Sequence, residues 1–331
     1  MSKKRMYFHP MAELPKLKIN TYAYEASTSL NEHFEIVNYG KKSRGGVIGI
    51  FTNYFFKCDY FYFNWIEGYS DLQTLFLFLF LPIARLFGKK VLWTHHNVFP
   101  HWGSRWIDRF MVRYFTRFAN YTVVHTKESY SILQKQKSDP RVLYFFHPMF
   151  SNHVQVQQGN NKSYDLLIWG RIRGGKGVQE FLEHLRVNSK LDSIKLKIVG
   201  KFNSEEDYLQ WLKLYATNDI SIENKFVTDE ELDLLHRESR VVFFPYTGKS
   251  VLNSGALVTS LPKGTPIIGP HSGAFKELAE MGLIDTYQSF DEVLAYVDDT
   301  TRHRYPQQLI TEFCHSHTWH RFSEYMYQNL K

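Results

Sequence analysis

Two glycine-containing segments in the second half of the chain carry residues suited to holding an anion. The first runs from Trp169 to Gly177 and includes Arg171 and Lys176, and the second is Asn253-Ser254-Gly255-Ala256. Each follows an apolar run and precedes a helical pattern, so each is predicted to link a strand to a helix. Glycine allows close approach of the backbone to a ligand, and amides at a helix start favour an anion. Two such loops suggest a diphosphate site, although an ordinary β–α turn is the alternative for either loop alone.

Several histidines follow a predicted strand in the first half of the chain. His95, His96 and His101 lie within seven residues, together with Asn97, just after an apolar run that ends at Thr94. A lone histidine is usually structural, whereas loops at strand ends carry functional side chains disproportionately often. We therefore expect this segment to belong to an active site.

A predicted helix in the first half carries two side-chain stripes with a spacing of four residues. The basic stripe consists of Arg105, Arg109, Arg113 and Arg117. The aromatic stripe consists of Trp106, Phe110, Tyr114 and Phe118. In one interpretation the aromatic side faces the core and the arginines face water. In the other, the arginines contact anionic lipid head groups or a pyrophosphate-linked ligand.

Short apolar runs alternate with helical patterns along most of the chain, and this alternation predicts an α/β fold with parallel, doubly wound sheets. Thr228, followed by three acidic residues, is typical of a helix start. The predicted strands are 5–8, 34–39, 47–51, 60–65, 91–94, 121–125, 142–146, 165–169, 195–200, 220–223, 241–245 and 266–269. The predicted helices are 72–87, 105–117, 176–186, 205–216, 229–238, 255–261, 274–280 and 317–330.

A polar stretch without periodicity, residues 151–163, is typical of a linker. We predict two Rossmann-like domains, residues 1–155 and 160–310, that face a cleft beyond the carboxyl ends of their strands. Residues 311–331 are predicted to form a C-terminal helix that packs back toward the N-terminal domain.

The composition is that of a globular protein: 44% of the 331 residues are hydrophobic. The two cysteines, Cys58 and Cys314, provide neither a disulfide framework nor a metal-ligand spacing, and the first residues lack the apolar core of a signal peptide. A cytoplasmic location is therefore expected. The apolar run 75–81 is too short to span a membrane because Arg85 follows it closely. A buried helix is favoured there over an interfacial one, and the two can coexist.

The net charge of +7 is concentrated in the first half of the chain. Residues 1–160 contain 20 Lys or Arg and 10 Asp or Glu, whereas residues 161–331 contain 20 and 23. A basic, aromatic-rich surface can contact nucleic acid, anionic lipid or a phosphorylated acceptor, and a solvated surface is the alternative. No recognisable nucleic-acid-binding motif is present, so a nucleic-acid partner is not expected.

The second half of the chain resembles nucleotide-sugar glycosyltransferases of the GT-B fold, in particular the family marked by a Glu, seven residues and a second Glu. The resemblance covers residues 164–331 well and residues 1–150 more loosely. In the first half, Val98-Phe99-Pro100-His101 is similar to a subgroup that builds bacterial surface polysaccharides on lipid-linked acceptors. The matching segments of the second half are Gly170-Arg171, Lys176-Gly177, Phe244-Pro245-Tyr246, Gly264-Thr265-Pro266-Ile267-Ile268 and His317-Thr318-Trp319.

The resemblance implies a donor-diphosphate site in the second domain. Arg171 and Lys176 would neutralise the diphosphate, and the segment Asn253, Ser254 and Gly255 would bind it at a helix N-terminus. Two cations and a helix start can stabilise a departing nucleoside diphosphate without a metal ion. The sequence also contains no Asp-x-Asp pair. We therefore expect neither a metal nor another cofactor, with a nucleotide-diphosphate sugar as co-substrate.

The sequence departs from this family at both glutamates, which would fall at Val251 and Thr259. In the family, the first glutamate lies near the transferred sugar and the second holds the ribose hydroxyls. Thr259, with Phe226 and Val227, is therefore a candidate for the ribose and base. The substitutions leave donor identity and stereochemical outcome open.

The first domain supplies the catalytic and acceptor candidates. His96 is expected to contact the donor sugar, and Asn97 to hydrogen-bond the sugar or the acceptor. Glu67 is the best-placed candidate for the base if the enzyme inverts configuration, and Glu25 and Asp108 are the next candidates. If it retains configuration, the departing phosphate can accept the proton. The acceptor or membrane candidates are His101, Arg105, Arg109 and Arg113.

These observations predict a metal-independent, hexosyltransferase-type glycosyltransferase that acts on a saccharide or a lipid-linked saccharide. Peripheral contact with the inner face of the cell membrane is expected. One alternative is a sugar-nucleotide epimerase of the same fold. Others are a basic nucleic-acid-binding protein and a carbohydrate-binding pseudoenzyme.

Overall fold

A computed structural model of the protein describes residues 3–11, 21–41, 47–66, 69–96, 106–136, 141–155, 162–247 and 252–330. The chain divides into two compact units. Unit 1 is Met1–Phe150 with Ser316–Lys331, and unit 2 is Ser151–His315. Each unit contains a parallel six-stranded sheet with helices packed against it. The predicted α/β class with two Rossmann-like domains is confirmed.

The sheet of unit 1 has the strand order β2-β1-β3-β4-β5-β6. Most of its strands are buried on both faces, which explains why they appear in the sequence as continuous apolar runs. Because all pairs are parallel, the carboxyl ends of the strands lie at one edge. The strands are β1 (Arg5–His9), β2 (Glu35–Ile36), β3 (Tyr60–Phe63), β4 (Lys90–His95), β5 (Tyr121–Val124) and β6 (Val142–Tyr144).

The helices of unit 1 cover its sheet and include the C-terminal helix. The described helices are α1 (Thr21–His33), α2 (Gly49–Asn53), α3 (Asp71–Leu86), α4 (Trp106–Phe118), α5 (Lys127–Gln136) and α13 (Trp319–Asn329). Ser29 on α1 donates a hydrogen bond to the carbonyl of Trp319, and Ser323 on α13 donates one to the carbonyl of Ser29. These bonds hold α13 against α1, so the predicted return of the C-terminal helix to the N-terminal domain is observed.

The strand predicted at residues 47–51 is wrong, because this segment forms a turn followed by the short helix α2. Val47 and Ile50 are both buried in the same core cluster. Their spacing of three residues fits one face of a helix, and a short apolar run does not by itself distinguish a strand from a helix.

The sheet of unit 2 has the strand order β12-β11-β10-β7-β8-β9. Its strands are β7 (Tyr164–Trp169), β8 (Leu196–Gly200), β9 (Ile220–Asn224), β10 (Ser239–Phe243), β11 (Ile267–Pro270) and β12 (Asp285–Tyr287). Its described helices are α6 (Val178–Val187), α7 (Glu205–Tyr215), α8 (Asp229–Glu238), α9 (Gly255–Ser260), α10 (Gly273–Glu280), α11 (Phe290–Asp298) and α12 (Gln307–Ser316). Because β7 and β10 are neighbours, the loops that follow these two strands lie side by side.

None of the helices in the described ranges combines the length and the apolar character needed to traverse a bilayer.

Candidate functional site

The loop after β7 is fixed by close backbone packing. Gly170 has φ +112°, which favours glycine, and a Cβ atom at Gly200 would lie only 1.6 Å from the carbonyl oxygen of Gly170. One residue beyond Arg171, Ile172 pairs with Phe202 in a parallel bridge. The backbone of Arg171 is therefore held between two fixed positions at the carboxyl edge of the sheet.

The same loop packs against the segment that follows β10. A Cβ atom at Gly177, which has φ +70°, would lie 1.6 Å from the carbonyl oxygen of Pro245. A Cβ atom at Gly170 would lie 3.9 Å from the Cβ atom of Ala256. The structure therefore places the first predicted anion-binding loop beside the second at Ala256, while its other end packs against Pro245, just after β10.

Tyr246 connects the predicted cation to the predicted helix start. The Nζ atom of Lys176 lies over the Tyr246 ring, 3.9 Å from its centroid, in a cation–π contact. The Tyr246 hydroxyl forms a hydrogen bond of 3.1 Å with Oγ of Ser254. Oγ of Ser254 in turn accepts a hydrogen bond from the amide of Leu257 and caps α9. Lys176, Tyr246 and Ser254 thus form one chain of contacts.

This region carries positive charge that no carboxylate in the described part of the chain neutralises. Arg171 is exposed and Lys176 is half-buried, and neither forms an ion pair with any described Asp or Glu. Asn253 and the exposed Gly255 flank the buried Ser254. The first amides of a helix have no partner inside it, so those of Gly255 and Ala256 add to the local positive potential. The arrangement can hold an anion.

A buried hydrogen-bond chain fixes α9 against β7. The indole Nε1 of Trp169 donates to Oγ of Ser260, which lies 3.2 Å from Nε2 of His236. Burial lowers the pKa of His236 to about 3, so its ring is neutral at pH 7. Thr265 donates to the carbonyl of His236. This chain fixes the last residue of α9 relative to the end of β7.

The residues predicted to bind the ribose and base lie in two places in unit 2. Thr259 is on α9, where its hydroxyl donates to the carbonyl of Gly255. Phe226 is exposed and Val227 half-buried, and both follow β9, which is separated from β7 by β8. The roles of all three remain predictions.

Unit 1 brings aromatic and imidazole rings together at the carboxyl ends of its strands. The ring of Tyr22 on α1 is the centre of this cluster, here called the Tyr22 cluster. Four of its neighbours lie within three residues of the ends of β3, β4, β5 and β6, and the fifth is at the start of α13. The neighbouring rings have centroids 4.8–5.9 Å from that of Tyr22 and belong to Trp65, His96, His125, His147 and Trp319.

The hydrogen bonds of His125 define its tautomer. Its Nδ1 lies 2.7 Å from the carbonyl oxygen of Phe145, which can only accept, so Nδ1 carries the proton. Burial lowers the pKa of His125 to about 3, so the ring is neutral and Nε2 is an acceptor. The Tyr22 hydroxyl, 2.7 Å away, therefore donates to Nε2. The Tyr22 cluster is uncharged at this point.

The predicted catalytic residues are only partly described. The half-buried His96 stacks on Trp65 at 4.7 Å between centroids, with 9° between the ring planes. His95 is buried and hydrogen-bonds Ser129, and burial lowers its pKa to about 4. Burial also raises the pKa of Glu25 on α1. The residues that lie outside the described ranges are Glu67, Asn97, His101 and Arg105.

The structure distinguishes the two interpretations of α4. Its buried side includes Met111 and Phe115, together with Asp108. Most of the aromatic stripe is outside the core: Trp106 is 77% exposed and Phe110 is also exposed, whereas Tyr114 is half-buried against the core. Arg109 and Arg113 are exposed beside it. The described arginines and most of the aromatic stripe therefore face outward, and of the two interpretations the one with a core-facing aromatic side does not fit this helix.

Sequence reasoning assigned no role to several residues at these sites. Tyr246 belongs to Phe244-Pro245-Tyr246, one of the segments that resemble the glycosyltransferases. Its position just after β10, beside the loop that follows β7, is the signal from which a role could have been predicted. Tyr22 and His125 had no comparable signal because only the folded chain brings them together. No group of three or more His, Cys, Asp or Glu in the described ranges is arranged to hold a metal.

Comparison with known proteins gives structural matches only. No family model matches the sequence, and no curated protein matches it. HepE from Anabaena, solved with UDP-glucose, is 12% identical with a TM-score of 0.66, over 98% of this chain and 100% of that one.

Two further structures are similar. AviGT4, a glycosyltransferase involved in avilamycin A biosynthesis, is 12% identical with a TM-score of 0.60, over 99% of this chain and 98% of that one. In the GtfA/B complex the match is 14% identical with a TM-score of 0.54, and it covers 79% of this chain and 60% of that one. Identities of this size show the fold alone, and the chain accordingly has the GT-B fold that its sequence predicted.

Proposed function

We propose that this protein is a glycosyltransferase that moves a sugar from a nucleotide-diphosphate donor to a saccharide or lipid-linked saccharide. The observation that carries the proposal is the chain of contacts from Lys176 through Tyr246 to Ser254, beside the loop that holds Arg171. The crystal structure of HepE with UDP-glucose, a protein of similar fold, supports a nucleotide sugar as the donor.

The charge arrangement suits the chemistry of sugar transfer. As the glycosidic bond breaks, negative charge grows on the phosphate oxygen that leaves with the nucleotide. Arg171, Lys176 and the amides at the start of α9 would stabilise that charge more strongly in the transition state than in the bound donor. Their positions are fixed before the reaction by backbone packing, so little reorganisation is needed. In this proposal the protein supplies the positive charge without a metal ion.

We assign acceptor binding to unit 1. The Tyr22 cluster offers aromatic ring faces, and His96, one of its members, remains the candidate for the donor sugar. Asn97 and Glu67 remain candidates for a sugar contact and for the base. We propose surface-polysaccharide synthesis at the cytoplasmic face of the membrane as the biological setting. A lipid-linked acceptor would keep the enzyme at that surface.

The proposal is tested first by nucleotide binding, because this needs no acceptor. Thermal-shift measurements with UDP, GDP, ADP, CMP and dTDP should identify one nucleotide that raises Tm. Replacing Arg171 or Lys176 by Ala should then reduce that shift and lower the kcat/KM of sugar transfer by about a hundredfold or more.

The matched control is Lys213→Ala, which removes an exposed lysine from α7. This variant should bind and turn over donor like the wild type. Wild-type activity in both Arg171→Ala and Lys176→Ala would refute the assigned site. Conversion of the donor sugar without any acceptor would instead favour an epimerase.

A further inference from the structure

Helix α3 carries apolar side chains on its outer face as well as on its core face. Leu77 and Phe80 are buried in unit 1. On the opposite side, Leu75 is 53% and Leu86 83% exposed, and Leu79 between them is also exposed. A helix that is apolar all round is normally buried, and contiguous exposed apolar surface usually marks an interaction site.

The exposed aromatic stripe of α4 continues this surface. The ring of Phe78 on α3 lies 6.0 Å from that of Phe110 and 4.7 Å from that of Tyr114. The Tyr114 hydroxyl donates a hydrogen bond to the carbonyl of Phe78, which ties the two helices together. Tyr114 also contacts Phe118 at 4.9 Å. The outer faces of α3 and α4, with Trp106 at one end, therefore form one surface, the α3–α4 surface.

This surface is also basic. Residues 71–90, which include α3 and the turn after it, and residues 106–118 of α4 together contain six Lys or Arg and two Asp. Of the two aspartates, Asp108 is buried. The guanidinium of Arg117 lies 5.9 Å from the ring centroid of Phe118, and Arg113 is exposed one turn earlier. Cationic side chains thus stand directly beside the exposed aromatic rings. Long basic side chains can lie along apolar surface while their charged ends reach a polar layer.

We infer that the α3–α4 surface docks on an anionic lipid bilayer, with its leucine and aromatic side chains in the interface and its arginines on lipid phosphates. A second copy of the chain is the less favourable occupant. A two-fold dimer would place this face against itself and so bring two positive surfaces together. Lipid phosphates supply the complementary charge. The inference deepens the proposed function, since a lipid-linked acceptor lies at such a surface.

Sedimentation with vesicles of phosphatidylcholine, with and without phosphatidylglycerol, tests the inference on the full chain. The wild type should bind the anionic vesicles, and binding should weaken as salt is raised. The double variant Leu75→Glu/Leu79→Glu should bind at least about tenfold more weakly, because two leucines no longer enter the interface. Its folding should be unchanged because both positions are exposed.

The matched control is Leu209→Glu/Leu214→Glu on α7 in unit 2, where the two leucines are 56% and 47% exposed. This control should bind vesicles like the wild type. Equal vesicle binding by the two double variants, or no wild-type binding, would overturn the inference. A wild-type dimer that Leu75→Glu/Leu79→Glu dissociates would also overturn it, in favour of a second copy.

Brominated lipids provide a readout that locates the surface. They should quench part of the wild-type tryptophan fluorescence, and Trp106→Phe should remove most of that quenching while vesicle binding persists. Unchanged quenching in this variant would place the contact elsewhere. Nucleotide thermal shifts measured on the same variants keep the two proposals separate, since the α3–α4 variants should retain the full shift even where vesicle binding is lost.

Discussion

The two units present opposite chemistry at the same edge of the same kind of sheet. In unit 2, the loop after β7 is rich in glycine and holds Arg171 and Lys176 without a carboxylate partner among the described residues, beside the segment that follows β10. In unit 1, the carboxyl ends of the strands hold the aromatic and imidazole rings of the Tyr22 cluster, in which burial keeps His125 and His147 neutral at pH 7 by lowering their pKa values. The comparison shows that a parallel sheet fixes where a site lies, whereas the residues after its strands decide whether it holds charge or excludes it.

The difference arises from how each edge is packed. Unit 2 brings backbone atoms close together at Gly170, Gly177 and Gly200, which leaves amides and cations available at the surface. Unit 1 fills its edge with large rings that bury imidazoles. The stability of unit 2 should therefore be sensitive to side-chain atoms added at these glycines. The stability of unit 1 should be sensitive to protonation of its buried histidines.

The largest expected effect is on the backbone packing of unit 2. Gly177→Ala would place a methyl group 1.6 Å from the Pro245 carbonyl oxygen at φ +70°, so either the loop or the segment after β10 must move. We expect a loss of about 3 kcal/mol in the free energy of unfolding, from left-handed strain and overpacking together. Urea denaturation of the wild type and the variant measures this loss.

Gly175→Ala is the control in the same loop. Gly175 has φ +77°, but no atom lies within 4 Å of its Cβ position, so only the backbone strain of about 1 kcal/mol should remain. If the two variants were equally stable, close approach of the backbone would not be what distinguishes unit 2.

Local sequence signals predicted the parts of the fold that depend on neighbouring residues. The helix start at Thr228 was read from three acidic residues, and in the structure Thr228 Oγ1 accepts the Glu231 amide in a capping box. Helix α1 was not predicted because many of its buried positions are small residues such as Ala23, Ala26 and Ser29, which give no apolar periodicity. The tertiary contacts with α13 decide its structure.

For the candidate anion site in unit 2, too, the sequence predicts only the features that depend on neighbouring residues. The glycine loops after β7 and β10 could be read locally, and the parallel sheet brings them together. The contact of Lys176 with Tyr246 could not be predicted, because it depends on side-chain conformations in two loops that are distant in sequence. The Tyr22 cluster has the same origin, since its members come from residues 22 to 319.

The second expected effect is an acid sensitivity that is greater in unit 1 than in unit 2. Burial lowers the pKa of His9, His95 and His147 to about 4 and that of His125 to about 3, whereas His236 is the one histidine of described unit 2 with such a shift. In the unfolded chain these groups bind protons below about pH 6.5, and in the folded chain they do not. Stability is therefore full above pH 6.5 and falls as the pH decreases toward 4.

Each such histidine lowers the free energy of unfolding by about 2 kcal/mol between pH 6.5 and pH 5. Because unit 1 contains four of them and described unit 2 only one, unit 1 should unfold first on acidification. Amide hydrogen exchange measures this: protection of β5 in unit 1 should fall at a higher pH than protection of β10 in unit 2. Simultaneous loss of protection in both strands would contradict the contrast between the units.

The smallest expected effect concerns Tyr246, which we assign as a positioning residue for Lys176. Tyr246→Phe keeps the ring beneath the ammonium and loses the bond to Ser254, so nucleotide affinity should change by about threefold or less. Tyr246→Leu removes the ring as well, and loss of a cation–π contact of about 0.5–2 kcal/mol should weaken binding by roughly two- to thirtyfold.

Because Tyr246 is buried, a loss of affinity in Tyr246→Leu has a second possible cause in disturbed packing. A double-mutant cycle with Lys176→Met separates the two. If Tyr246 acts through the ammonium, Tyr246→Leu should change affinity little once Lys176 is already replaced. If Tyr246→Leu weakened nucleotide binding as much in the Lys176→Met background as in the wild type, the ring would support unit 2 only through packing. Lys176 and Arg171 would then bind the anion without help from Tyr246.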